Sequence, residues 1–494
     1  MHPERNMTDI CILYRDFEEG AILHLVAGIM MQDAYLTEQP EPLRHQLDGA
    51  MASLVEMAGD YGFEGNLWHA YLTHLMVNHD NAYSRACEMR DGATGSINIV
   101  ALHDFRILKK LFDYPLEETA RTLGSDYYTV IGAYELSEGQ GKAYNTRICS
   151  RILALSRELE ETDTPEAFMD CVTRFYSEYG VGTFGLHKAF RVERTNGAAG
   201  PAGGPHPGMD MMPHAACPPP QDGERQLHEN SRPPHPQMNR MMPPPPPVRR
   251  RNAGKDGVRI LPINNVAHVT LDDLVGYEYA KQQLIENTEA FIAGRPSNNC
   301  LLYGDAGTGK SSSIKAIMNR YYDQGLRLIE LYKHQFKDLN AVIAQIKNRN
   351  YRFIIYLDDL SFEEFETDYK YLKAVIEGDL EQRPDNIRIY ATSNRRHLVR
   401  ETAGDRSDMD EDLHRSDTVQ EKTSLSARFG KQIYFGKPTP QEFRTMVKIL
   451  AQRQGVQMEE KELLIAANQW EIQHGGYSGR AAQQFIDDLK GRGY

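Results

Sequence analysis

Apolar residues return at helical spacing through the first 194 positions. Leu43, Leu47, Met51, Leu54, Val55 and Ala58 follow i, i+4, i+8, i+11 steps, which places them on one buried face of a helix. Leu67, Trp68, Tyr71, Leu72, Leu75 and Met76 repeat the pattern, as do Ile148, Ile152, Leu155 and Leu159. Thr164-Pro165-Glu166 supplies an N-cap, a proline at the first helical position and an early acid, and Gly180 supplies the stop. The spacing predicts an all-α domain over 1–194. It carries no nucleophile–base pair, glycine loop or metal spacing, and His69, His74 and His79 lie five apart, off any common helix face. The sequence does not say what this half is for; an unidentified protein partner is the only expectation attached to it.

From about residue 258 the pattern changes to short apolar runs alternating with helical stretches, the signature of a parallel α/β sheet with helices on both faces. The predicted strands are Asn299–Tyr303, Leu326–Leu331, Phe353–Leu357, Ile387–Thr392 and Gln432–Phe435. Their near-continuous apolar character suits strands covered on both sides. Beyond Pro438, Thr439–Gln454 and Glu459–Gln473 predict helices of a small terminal subdomain.

Between the two patterned regions, residues 195–257 hold 15 of the 25 prolines, Met-Met pairs and the run Pro243–Pro247. Such a composition buries too little apolar area to offset chain entropy, which predicts a disordered, partly polyproline-II tether. A coil of that length would let the helical domain reorient over about 40–50 Å. His206, His214, His228 and His235 are irregularly spaced, which favours coincidence over metal binding, and Arg249-Arg250-Arg251 reads as a solvated linker end. The expected domains are therefore 1–194, 195–257, 258–437 and 438–494.

Composition narrows the function classes. The 494 residues leave room for two to four domains, and a formal charge of −13 argues against a protein that coats nucleic acid. Nucleic acid is a possible partner but not the favoured one. No run approaches the roughly 18 apolar residues needed to span a bilayer, and the N-terminus lacks a secretory build. The six cysteines form no CxxC pair, which fits reduced thiols. A cytoplasmic protein without membrane attachment is expected.

The chemistry concentrates in the last 240 residues. Gly304-Asp305-Ala306-Gly307-Thr308-Gly309-Lys310-Ser311 matches GxxxxGK[ST] in full, after a predicted strand and before a predicted helix opening at Ser312. In that context consecutive backbone N–H groups and the helix N-terminus cradle phosphates, Lys310 reaches the β/γ oxygens and Ser311 offers its hydroxyl to Mg²⁺. Phe353–Leu357 delivers Asp358 and Asp359 to the carboxyl edge of the sheet, where ligands sit in open α/β folds. Asp358 is expected to hold magnesium, directly or through water, and Asp359 to polarise the attacking water. Asn394, ending the strand Ile387–Thr392, can bond the γ-phosphate or that water. Arg428, in Ser424-Leu425-Ser426-Ala427-Arg428-Phe429-Gly430, can bind the γ-phosphate bidentately. Arg480, in Gly476-Tyr477-Ser478-Gly479-Arg480, can reach phosphates from the terminal subdomain.

The order of these five elements resembles the AAA+ ATPases, and Val269–Gly276 is similar to the segment that frames adenine there, which brings Val275 and Gly276 into the expected nucleotide site. More narrowly, Leu357–Phe362, Tyr390–Leu398 and Ser424–Gly430 resemble the bacterial family called domain of unknown function 815. The resemblance covers about 230 residues. It implies a P-loop NTPase core with a five-stranded parallel sheet in the order 5-1-4-3-2 and a small helical lid. It also implies that Asn394 is sensor 1, that Arg428 is an arginine finger acting on a neighbouring subunit of a homo-oligomer, and that Arg480 is sensor 2 acting in its own chain. This sequence departs by carrying Asp359 where many AAA+ proteins have Glu, and Ala427 where relatives often have an acid before the finger. The shorter Asp359 suits slow or partner-stimulated turnover.

The expected function is thus Mg²⁺-dependent ATP binding and hydrolysis that drives conformational change in an oligomer or partner. The alternatives are a nucleotide-gated binding switch with little turnover and a DNA-associated loader-type ATPase. The acidic stretch Glu401–Asp417 reads as a surface loop, with a metal site as a second choice.

Overall fold

A computed structural model describes residues 10–194 apart from 33–35, 37–39, 91, 127 and 138–145, and residues 257–494 apart from 363–368, 378–383, 396, 397, 399–424 and 475. The tether 195–257 therefore lies, save for its last residue, outside the described residues, as does the acidic stretch 401–417.

The first half is helical where its apolar spacing predicts. The helix Pro40–Tyr61 buries Leu43, Leu47, Ala50, Met51, Leu54 and Ala58. Leu67–Asn78 and Thr146–Glu160 bury the faces read from the sequence. Thr164 caps Pro165–Tyr179 by accepting the Ala167 N–H, and Gly180 ends it. These helices share one apolar core centred on Trp68, Tyr71, Phe105, Phe112 and Tyr176.

In the second half each of the five predicted strands forms within one residue of its expected ends, but among the described residues the sheet has seven strands, not five. They are β1 (Ala189–Arg194), β2 (Val258–Pro262), β3 (Cys300–Gly304), β4 (Leu326–Glu330), β5 (Arg352–Leu357), β6 (Ile387–Ser393) and β7 (Lys431–Phe435). The order is β2-β1-β4-β5-β6-β3-β7. Counting only β3 to β7, this is the 5-1-4-3-2 order implied by the resemblance, and every pairing among them is parallel. The extra strands extend the β4 edge: β1 pairs with β4 in parallel, Ala189 opposite Leu328, and the Ile263 N–H donates to Ala189 O at 2.9 Å. β1 alternates, burying Phe190 and Val192 while Arg191 and Glu193 face out, as befits a half-covered strand.

The free reorientation expected across the tether does not hold. Residues up to Glu193 and from Ile260 onward cluster into one compact unit, and buried ion pairs and hydrogen bonds join its helical part to the sheet. Arg349, at the foot of β5, donates to both Glu88 carboxylate oxygens at 2.7–3.2 Å and also pairs with Asp80. Arg327 in β4 is 1% exposed. Its guanidinium lies between the Tyr322 and Tyr351 rings, 4.1 and 4.5 Å from their centres, and donates to the carbonyls of Phe184, Gly185, Tyr322 and Leu326. The Tyr351 hydroxyl accepts the Val181 N–H at 2.8 Å. The Glu88 side chain is 1% exposed, so Arg349→Ala strands a carboxylate away from water. Removing one partner of such a pair costs about 3–5 kcal/mol. Urea denaturation of this variant is expected to show that loss, and an unchanged midpoint would show that the contact does not hold the halves together.

The helix Lys310–Tyr321 packs Ile314, Ile317 and Met318 against the sheet. The last three helices, Pro440–Gln454, Glu460–Gln473 and Gly479–Gly491, form their own core around Phe443, Val447, Phe485 and Ile486. Thr439 and Glu442 close a capping box that starts the first of them. Among the described residues, no helix is long and apolar enough to cross a membrane.

Candidate nucleotide-binding site

Because β3, β5 and β6 are parallel neighbours, their carboxyl ends deliver the loop 304–310, Asp358-Asp359 and Asn394 to one edge of the sheet. Gly304 has φ 136°, and a Cβ there would run into the carbonyl oxygen of Phe435; only glycine lets the chain leave β3 along β7 and turn. The Asp305 N–H donates to Phe435 O, and the Asp305 carboxylate accepts the Lys437 N–H, both at 3.0 Å. Thr308 ties the bend by donating to Asp305 O at 2.8 Å. Gly309 caps the helix that follows without any side-chain bond to its free N–H groups. A helix start with open donors and the positive end of the dipole is suited to an anion.

Lys310 is 7% exposed. Its Nζ donates to Gly304 O at 2.9 Å, Asp305 O at 2.6 Å and Asn394 Oδ1 at 3.0 Å. Burial lowers its pKa, while Asp305, Asp359 and Asp358 oppose the shift. The Asn394 amide then donates to Asp359 Oδ1 at 2.9 Å, so one amide links the cation to the second acid. On the other side, Ser311 Oγ donates to Asp358 Oδ1 at 2.8 Å. Burial works against the Asp358 charge, but hydrogen bonds from Thr392 and Ser311, with the Tyr356 hydroxyl close by, outweigh it and hold the carboxyl below its usual value. A hydroxyl beside an ionised carboxylate is a hard-oxygen set that fits Mg²⁺.

The terminal helices reach the same loop. The Arg480 N–H donates to Gly307 O at 3.1 Å, and a Cβ on Gly307 would come within 3.1 Å of the Arg480 Cβ. The positive charge of Arg480 is felt at Lys310. Val275 packs on the terminal core beside Gly276 and Tyr277. The approach segment is fixed to the P-loop helix by Asn319, whose amide donates to Ala267 O and Val269 O at 3.1 and 2.9 Å. An open cleft lined by Tyr303, Gly304, Asp305, Asn394 and Tyr434 runs alongside.

The structure therefore gathers residues 304–312, Asp358, Asp359 and Asn394, with Arg480 against the loop, and leaves Arg428 apart. In the β3–β7 register Cys300 faces Lys431 and Gly304 faces Phe435, so Arg428, three residues before Lys431, precedes the end of β7 opposite to the one that meets the P-loop. Sequence reasoning missed Thr392. Its signal was available: it stands two residues before Asn394, the period that returns a strand to one face.

Residues 248–493 match the family described as Protein of unknown function (DUF815). This half of the chain resembles the DUF815 family. The chain is also similar to curated and solved proteins. The chain is 39% identical over 66 residues to the Replication factor C large subunit of Staphylothermus marinus, a stretch of 13% of this chain and 15% of that one. It is also similar to the Holliday junction branch migration motor RuvB of Thermotoga maritima, at 15% identity and a TM-score of 0.32 over 45% of this chain and 64% of that one. A single-residue variant of that RuvB gives 16% identity, a TM-score of 0.33 and the same coverage. The chain thus spans less than two thirds of either relative's length. The helical residues before 248 lie outside the DUF815 match.

Proposed function

We propose that the DUF815-like module binds ATP with magnesium and hydrolyses it, coupling nucleotide state to the geometry of an oligomer. The observation that carries this reading is the unbroken chain Lys310–Asn394–Asp359 beside the Ser311–Asp358 pair. Residues 304–312 would hold the triphosphate, Val275 and Gly276 would frame the base, and Ser311 and Asp358 would hold the metal. When bound, the metal supplies neutralising charge to the phosphate oxygens. Lys310 leaves its loop carbonyls for the β/γ oxygens, which frees the Asn394 carbonyl oxygen. Asp359, steered by the Asn394 amide, orients water for in-line attack on the γ-phosphorus and takes its proton. Arg480 reads the phosphates from the terminal helices of the same chain, and Arg428 of a second copy completes the charge balance.

The test is Asp359→Asn. It keeps the shape and the Asn394 contact but removes the base, so Mg·ATP affinity is expected to persist while phosphate release falls about 10²–10⁴-fold. Full turnover by this variant would remove the base assignment. A nucleotide-gated switch is the second reading, supported by the short Asp359 side chain already engaged by Asn394. It expects tight Mg·ATP binding with negligible phosphate release from the native protein, with or without candidate partners.

A further inference from the structure

We propose that Thr392 is a positioning residue that orients the metal-binding carboxylate and shapes the turn carrying the hydrolytic acid, an inference that rests on the Mg·ATP reading above. Three donors converge on one oxygen, Asp358 Oδ1: Thr392 Oγ1 at 2.6 Å, Ser311 Oγ at 2.8 Å and the Asp359 N–H at 3.1 Å. The shortest comes from Thr392. The same hydroxyl oxygen accepts the Asp359 N–H at 3.0 Å, and the Thr392 carbonyl accepts the Leu360 N–H at 2.7 Å. One residue thus fixes the turn at 358, 359 and 360. Asp359 has φ 48°, a left-handed conformation uncommon for residues other than glycine, though aspartate adopts it more readily than most.

A buried threonine needs only one partner for its hydroxyl. Here the hydroxyl donates and accepts at once, and both bonds go to the acid pair. Thr392 is 2% exposed and sits in β6 opposite Leu302 of the P-loop strand, so its position is set by the central sheet. A serine hydroxyl has one O–H and two lone pairs, so Ser311 can keep its bond to Oδ1 while its oxygen meets the metal. The Thr392 and Asp359 donors can stay as well. They keep Oδ1 occupied and leave Oδ2 as the carboxylate oxygen available to the cation. Outer hydrogen bonds of this kind govern metal affinity as well as ligand orientation.

The experiment is a calorimetric titration of the full chain with ATP over a series of Mg²⁺ concentrations and in EDTA, for the native protein, Thr392→Val and Thr392→Ser. Thr392→Val is expected to need about 10–100-fold more Mg²⁺ to reach half of the metal-dependent gain in affinity, with metal-free ATP binding within about twofold of native. Thr392→Ser restores the hydroxyl and the native requirement. A folded Thr392→Val protein with native Mg²⁺ dependence overturns the inference while leaving the ATP reading intact. A native protein with no Mg²⁺-dependent ATP binding overturns both. Should Thr392→Val fail to fold, Thr392→Cys carries the same test against Thr392→Ser, and equal Mg²⁺ requirements in that pair overturn the inference.

Discussion

Arg428→Ala is expected to lower phosphate release by the assembled protein about 10³–10⁵-fold, the range found for arginine fingers in phosphoryl transfer, while the same chain still binds Mg·ATP. The size of the effect follows from where the charge acts. As the bond to the leaving group loosens, its electron pair moves onto the β–γ bridging oxygen and the departing diphosphate, and a guanidinium placed there bonds that charge more strongly than it bonds the ground state. The placement follows from the sheet. Arg428 lies before β7, whose far end meets the P-loop strand at Gly304, so on the proposed reading its guanidinium serves the loop of a second copy. Turnover of the native protein should therefore rise with concentration. Mixing Arg428→Ala with Lys310→Ala should restore part of the activity, because one variant retains a loaded P-loop and the other a finger. Arg428→Ala turnover equal to native at every concentration would remove the finger.

Lys310→Ala is the second large effect. Its Nζ is the cation at the mouth of the loop, held by two P-loop carbonyls and Asn394 Oδ1. A unit charge about 4 Å from a phosphate oxygen contributes about 4 kcal/mol at an effective dielectric of 20, which is about 10³ in affinity. Calorimetry should show that loss, and a variant that binds ATP as tightly as native would contradict the placement. The same side chain gives a pH dependence with a definite sign. Burial lowers the Lys310 pKa below its ordinary 10.5, so the ammonium is lost earlier than usual as pH rises. ATP affinity should weaken on the alkaline side, at a pH below 10.5, and Lys310→Ala should lack that step.

Most of this site is written in local signals. The loop 304–311 needs its glycines for the bend and its lysine for charge, and Asp358, Asp359 and Asn394 each end an apolar run whose covered faces demand a parallel sheet. Those features are short in sequence, so periodicity finds the strands to within a residue. What the sequence did not yield depends on contacts between distant residues. β1 is a six-residue alternating strand that joins the sheet from the other side of the proline-rich segment, and nothing in Ala189–Arg194 indicates which edge it will meet. Arg327 was a warning inside the apolar run of β4. A guanidinium in a strand covered on both faces needs partners, and here they are the Tyr322 and Tyr351 rings and the carbonyls of 184 and 185. Those partners are the docking of the helical half. Thr392 was hidden because its strand was read for its apolar faces, whereas its importance comes from a neighbouring strand's carboxylate.

The left-handed backbone at Asp359 has a wider meaning. An aspartate kept at positive φ carries roughly 1 kcal/mol of conformational strain that a glycine would relieve. A chain chosen for heat resistance alone would therefore favour glycine at this bend. On the proposed reading, retaining the acid makes the bend a point where ruggedness is surrendered for reactivity, and drift toward an inert scaffold would be energetically downhill there.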